Sequence, residues 1–174
     1  MSADDAQALV EHQRIIDTVT DYALGIDLRD WDRLEGALAD EVEVDFTSWG
    51  GGRDLSLFAA KKTMSGRDWA DGVRRSMGAF RSTHHLLGTF RVERDPKDAA
   101  RARCHAHVQA NHYLPNDRGD NEFTLGGYYD NELVRDTSGP GQAAARWRIT
   151  RLRLVVLWSR GNRFVFELAF NARQ

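Results

Sequence analysis

Apolar residues in the first part of the chain return at helical spacing. From about Asp4 to Ile26, residues Leu9, Ile15, Ile16, Val19, Tyr22, Ala23 and Ile26 fall on one broad arc, with Arg14, Asp17, Thr18 and Asp21 opposite. This is the pattern of a helix laid on a core. At about 100° per residue, Asp27 comes back into line with Leu9, Ile16 and Ala23, so a helix that runs that far aims its carboxylate along the edge of the buried face. If the helix stops sooner, Asp27 caps a turn instead. Asp30 stands before Trp31-Asp32-Arg33-Leu34-Glu35-Gly36-Ala37-Leu38, which predicts a short second helix with Asp30 as its N-cap. Glu41 to Phe46 alternates polar and apolar residues, a half-buried strand with Val42, Val44 and Phe46 inward. Thr47 to Thr63, with three consecutive glycines, reads as a loop with room for a helical turn around Leu55, Phe58 and Ala59. Loops of that length are often lids or interface elements. Ser65 is the expected N-cap of a third helix through Trp69, Val73, Met77 and Phe80.

After Arg81 the period changes. Strands are expected at about 81–94, 100–114, 121–136 and 145–158, separated by Asp95-Pro96-Lys97-Asp98, by Pro115 to Asp120 and by Ser138-Gly139-Pro140-Gly141. Helices first and strands afterwards predict one α+β domain over residues 1–174, with helices covering one face of a curved antiparallel meander.

Strand alternation also places chemistry. Cys104, Ala106, Val108 and Ala110 make a small apolar face that His112 continues, while His105 and His107 lie on the other. In the next strand Thr124, Gly126, Tyr128, Asp130 and Glu132 share one face, and Phe123, Leu125, Gly127, Tyr129 and Leu133 the other. Gly126-Gly127 suggests a bend or bulge, which leaves open the tyrosine that faces inward. Adjacent histidines, His84 and His85, lie in the run Ser82 to Phe90. An imidazole titrates near neutrality, so an inward His85 is a candidate proton-transfer group, with His84 outward as the weaker candidate. The plainer alternative for His85 is a core histidine bonded to a backbone carbonyl.

Composition narrows the field. Lysine and arginine total 24 against 26 acidic residues with no block of one sign, which disfavours a nucleic-acid or membrane surface. The single cysteine, Cys104, cannot close an internal disulfide, and Met1-Ser2-Ala3-Asp4-Asp5 lacks the apolar core of a signal peptide, so a cytoplasmic location is expected. No apolar run approaches the roughly 18 residues of a membrane helix. Gly50-Gly51-Gly52 is followed by Arg53-Asp54 rather than by a phosphate-binding lysine and hydroxyl, and there is no closely spaced zinc-ligand set. Neither a metal nor an organic cofactor is expected.

The order of Ile26-Asp27-Leu28-Arg29-Asp30-Trp31-Asp32-Arg33-Leu34, Val44-Asp45-Phe46, Thr83-His84-His85-Leu86-Leu87-Gly88, Asn111-His112-Tyr113 and Trp147-Arg148-Ile149 resembles the scytalone dehydratase and SnoaL-like branch of the nuclear transport factor 2-like superfamily. The resemblance covers roughly residues 8 to 160. It implies a cone of three helices on a strongly bent antiparallel sheet, with a pocket running down the cone. It also implies that Asp27 orients His85 and that His85 and His112 act on a substrate proton and its leaving hydroxyl. Ile26 and Phe46 stand where the dehydratase has tyrosines, and its later serine and asparagine correspond to Tyr128 and Asp130. The dyad is kept while the substrate contacts differ, which implies similar proton chemistry on another molecule.

The expectation is therefore a cofactor-independent lyase or isomerase acting on a small, mostly apolar hydroxylated ring or polyketide-like substrate. A polyketide cyclase using the same dyad for aldol closure, and a non-catalytic ligand-binding or assembly module, are the alternatives. Tyr22, Trp31, Phe46, Trp49, His84, Tyr128, Asp130 and Trp158 are the candidate substrate contacts. Asp130 has a structural alternative in an ion pair with Arg151 or Arg153. A homodimer or homotrimer is expected, with the face of Leu152, Leu154, Val156 and Trp158 toward another copy. The apolar tail Arg163 to Phe170 should pack across the cone mouth or onto that partner.

Overall fold

The computed structural model describes residues 2–46, 61–138 and 145–171. Helix α1 (Ala3–Leu28) opens with a capping box in which Ser2 and Asp5 bond each other's backbone, and it runs past Asp27. Asp27 is thus a residue of the last helical turn, not a cap beyond it. Helix α2 (Trp31–Gly36) is capped by the Asp30 carboxylate, which accepts from the Arg33 backbone. Strand β1 (Leu38–Asp45) and strand β2 (Lys61–Ser65) lead to α3 (Gly66–Met77), capped by Ser65. Long strands follow, β3 (Ser82–Arg94), β4 (Arg101–Tyr113), β5 (Glu122–Asp136) and β6 (Arg146–Gly161), and then α4 (Val165–Asn171).

Two boundaries differ from the sequence reading. Lys61 to Thr63, expected in a loop, pair antiparallel with β1. Helix α3 ends at Met77 with Gly78 as its C-cap, and Phe80 is buried beyond it. The expected turn around Leu55, Phe58 and Ala59, and Trp49 as a substrate contact, lie outside the described residues.

The strands form a six-stranded sheet in the order β2-β1-β6-β5-β4-β3. All neighbours are antiparallel except β1 and β6, which run parallel with Val44 opposite Leu152. Alternation reports which face of a strand is buried but not its direction, so this pair was not visible in the pattern. The core lies between the helices and the sheet, where Ile15, Leu34, Val42, Phe123 and Ile149 are wholly buried. Leu152 and Leu154 belong to this core, so the face expected to meet another copy points instead at the helices. Leu157 is the extra residue of a register shift between β5 and β6, and beyond it Trp158 stands half exposed.

One end of the core is tied by polar contacts. Glu11 is 3% exposed and accepts from Trp147 Nε1 at 2.9 Å and from Arg14 at 2.8 Å, with Arg135 at 3.5 Å. Burial acts to raise its pKa, but these donors and cations outweigh burial and hold it below the usual value. Thr18 Oγ1 donates to the Trp147 carbonyl at 3.1 Å, so α1 and β6 are joined twice. Helix α4 folds back over the sheet, with the Phe166 ring 5.1 Å from that of Phe80 and 4.7 Å from that of His112. Among the described residues no helix is long and apolar enough to cross a membrane.

Candidate active site

The end of α1 meets the start of β3. Strand alternation puts Thr83 and His85 on the inner face of β3 and leaves His84 exposed. Asp27 reaches across from the helix: Oδ2 accepts from the His85 backbone N–H at 2.6 Å, and Oδ1 lies 2.7 Å from His85 Nδ1. Burial pushes the Asp27 pKa up, but the ring and backbone donors of His85, the His85 charge and Thr83 together bring it below the ordinary carboxylate value. An ionised carboxylate has no proton to give, so Nδ1 is the donor in this bond. In the neutral ring this leaves the lone pair on Nε2.

His112 lies opposite Thr83 in the register of β3 and β4, its ring 5.8 Å from that of His85. It is packed by Phe80 and Phe166 at ring separations of 5.3 and 4.7 Å, and its Nδ1 has no hydrogen-bond partner among the described residues. Burial, then the charge of His85, depress its pKa from 6.5 to about 3. The imidazole is therefore neutral across the physiological range. It can donate a hydrogen bond but is a poor source of a proton.

Both rings open onto a cavity of about 540 Å³ with mostly apolar walls. Phe46, Trp69, Val73, Leu125 and Leu154 form the sides, and Phe166 and Phe170 of α4 close over it. Lys62, Asp68, Arg75 and Glu167 also line it. Tyr22 and Tyr129 add phenols to the cavity, with ring centroids 6.1 Å apart, and Tyr22 Oη accepts from Trp69 Nε1 at 3.2 Å. Burial raises both phenol pKa values, and for Tyr129 the Tyr22 and Asp27 charges add to it. Asp27 does not line the cavity, so it touches substrate only through His85.

Of the residues singled out in the sequence, His85, His112, Tyr22 and Phe46 line this cavity, with Asp27 behind His85. Trp31 packs against the core away from it. His84 is exposed, and Trp158 lies against Gly126. Tyr128 is on the opposite face of the sheet, its ring 4.7 Å from that of His105. Asp130 is paired with Arg103 at 3.3 Å and with Arg153 at 3.5 Å; of these the sequence reading named Arg153. The inward residues of β5 are Tyr129 and the fully buried Asn131, whose amide has no hydrogen-bond partner among the described residues. The signal for them was the apolar face running from Phe123 and Leu125 to Leu133. Thr83, two residues before His85, shares its inward face by the same alternation. Among the described residues no group of three or more His, Cys, Asp or Glu side chains is placed to hold a metal ion.

N-terminal helices on a bent six-stranded sheet, with a cavity between them, define the cone of the nuclear transport factor 2-like superfamily. Within it, the chain belongs to the SnoaL-like domain family, which matches residues 7–153. Among solved structures it is similar to the Kfla4162 protein from Kribbella flavida, at 29% identity over 96% of this chain and 99% of that one, with a TM-score of 0.73. A candidate scytalone dehydratase from Novosphingobium aromaticivorans shares the fold at 19% identity, covering 91% of each chain, with a TM-score of 0.67. So does a hexachlorocyclohexane dehydrochlorinase, LinA-type3 from Novosphingobium barchaimii, at 19% identity over 91% of this chain and 94% of that one, with a TM-score of 0.67. None of the curated proteins matches the chain in sequence.

Proposed function

We propose that this protein is a cofactor-independent lyase that removes a proton α to a carbonyl and expels a β-leaving group from a small, mostly apolar ring. The observation that carries the reading is the 2.7 Å contact between Asp27 and His85 Nδ1, behind a ring that opens onto an apolar cavity. His85 Nε2 takes the proton, and the C–H electrons pass into the ring to form first an enolate and then the C=C bond as the leaving group departs. The Asp27 carboxylate stabilises the imidazolium so formed. A base held in this way is typically worth about 10²–10⁴-fold in rate. Neutral His112 donates a hydrogen bond to the enolate oxygen.

A departing hydroxyl needs a proton. His112 is too weakly protonated to supply it and Tyr128 is on the other face of the sheet, so the proton returns from the His85 imidazolium, releasing water. A halide leaves without one, and the scarcity of matched acids in the cavity favours halide elimination as a second reading. The fold shared with a dehydrochlorinase is consistent with both. Aldol ring closure uses the same base and differs in its product.

Proton abstraction and loss of the leaving group can be measured separately. Cyclic ketones bearing a β-hydroxyl, a β-halide or no leaving group are incubated with the protein in D₂O. Exchange at the α-carbon is followed by NMR and the conjugated product by absorbance. Exchange with all three, elimination with the first two, and loss of both in His85→Ala are expected. Binding of these ketones without exchange would sink the lyase reading and leave a ligand-binding module.

A further inference from the structure

The end of α1 carries a residue that its backbone disfavours. Arg29 caps the helix at φ 60° and ψ 26°, in the left-handed region that glycine enters freely and residues with a Cβ enter at a cost. A side chain kept under that strain points to a task performed by the side chain. The guanidinium is turned inward: Nη1 donates to Thr83 Oγ1 at 2.9 Å and also to the Ile26 carbonyl, and Nη2 donates to the Phe80 carbonyl at 3.1 Å. Thr83 is buried, two residues before His85 on the inner face of β3, and Ile26 directly precedes Asp27.

One guanidinium thus joins the carbonyl that precedes Asp27 at the end of α1 to Phe80 and Thr83 at the start of β3, and Asp27 in turn bonds the backbone and ring of His85. Arg29 does not line the cavity. Its charge nonetheless contributes to keeping His112 neutral.

We propose that Arg29 is a positioning residue of this site, clamping the end of α1 to the start of β3 through Thr83 and Phe80 and so holding the Asp27 carboxylate in the orientation that selects the His85 tautomer. The inference rests on the dyad reading given under the proposed function. It makes the left-handed cap a part of the site: the turn that ends the helix is the one that brings the guanidinium onto Thr83.

The test uses the full-length protein and needs no substrate. The Asp27 carboxyl is titrated by ¹³C NMR and the His85 tautomer is read from its ring ¹⁵N shifts, in the wild type, Arg29→Gly, Thr83→Val and Thr83→Ser. Glycine suits the backbone of position 29, so a role confined to the cap would leave the site unchanged in that variant. Expected instead is an upward shift of the Asp27 titration of about one pH unit in Arg29→Gly and Thr83→Val, the size of one lost bond to a charged group. The Nδ1–H tautomer of His85 should lose population in both, and Thr83→Ser should restore both signals. If Arg29→Gly does not fold, the contrast between Thr83→Val and Thr83→Ser decides. A wild type with the Nδ1–H tautomer, and variants indistinguishable from it, would overturn the assignment of Arg29 alone. A wild type whose neutral His85 carries its proton on Nε2 would overturn the dyad and this inference together.

Discussion

Replacing Asp27 by asparagine keeps its size and inverts the site. In the native protein both carboxylate oxygens face N–H donors, Oδ2 the His85 backbone at 2.6 Å and Oδ1 the His85 ring at 2.7 Å. An amide has one acceptor oxygen and one NH₂ group, so one of these positions must receive a donor. The backbone N–H cannot change its role, whereas the imidazole can, by moving its proton. The asparagine oxygen is therefore expected on the backbone N–H and its NH₂ on Nδ1, which forces His85 into the Nε2–H tautomer. That proton occupies the lone pair needed in the cavity. The lost base should lower kcat/KM by about 10³-fold, equivalent to about 4 kcal/mol. Because Asp27 does not line the cavity, KM should change little. The assay is the α-exchange rate on the cyclic ketones, paired with His85 ring ¹⁵N shifts. An Asp27→Asn protein that exchanges within about threefold of the wild type, with the imidazole proton on Nε2, would refute the tautomer argument.

Other perturbations test other parts of the structure. The His112 pKa is depressed from 6.5 to about 3 by burial, so below pH 6.5 the unfolded chain binds a proton that the folded one refuses. The associated stability is complete above pH 6.5 and is lost as pH falls toward 3, at up to about 1.4 kcal/mol per pH unit. Chemical denaturation of His112→Leu should show a flatter slope between pH 6 and pH 4 than the wild type, and an equal slope would count against this assignment. Glu11→Leu removes a buried acceptor from Trp147 and leaves Arg135 without its counter-charge, at a cost of about 3 kcal/mol. Thermal melting should register it as a drop of about 6–12 °C, with the exchange activity of the folded protein retained. Alanine at Gly127 would put its Cβ 1.9 Å from the Val155 carbonyl oxygen, where only backbone can yield. At Gly126 the obstacle is the half-exposed Trp158 ring at 2.2 Å, which is free to swing away. Gly127→Ala should therefore destabilise by about 3 kcal/mol or more and Gly126→Ala by clearly less, a ranking checked by denaturant midpoints.

Much of the fold could be read from periodicity because burial is what periodicity records. The phase of α1 carried Asp27 to the edge of its buried face, and the alternation of β3 and β4 turned His85 and His112 to one side. The residues that were misplaced show where this logic stops. Tyr128 and Asp130 come from aligning short motifs with a family, while alternation with a bend at Gly126-Gly127 leaves open the tyrosine that faces inward; the structure turns Tyr129 and Asn131 inward. Arg29 was invisible for another reason: an arginine after a helix reads as solvated, and its task depends on a positive φ and on partners more than fifty residues away in sequence. The parallel register of β1 against β6 depends in the same way on chain direction, which hydropathy does not encode.

That parallel pair also bears on how the protein is made. Val44 meets Leu152 across the sheet, so β1 has no neighbour on that side until the last long strand has been synthesised. In the meander β3 to β6 each strand pairs with its neighbour in sequence and can form by local steps, whereas seating β1 must close a loop of about a hundred residues, a slow, non-local event. On the ribosome, the N-terminal helices and the β1–β2 hairpin therefore wait with their apolar faces uncovered, and the period of greatest exposure to aggregation ends when β6 emerges.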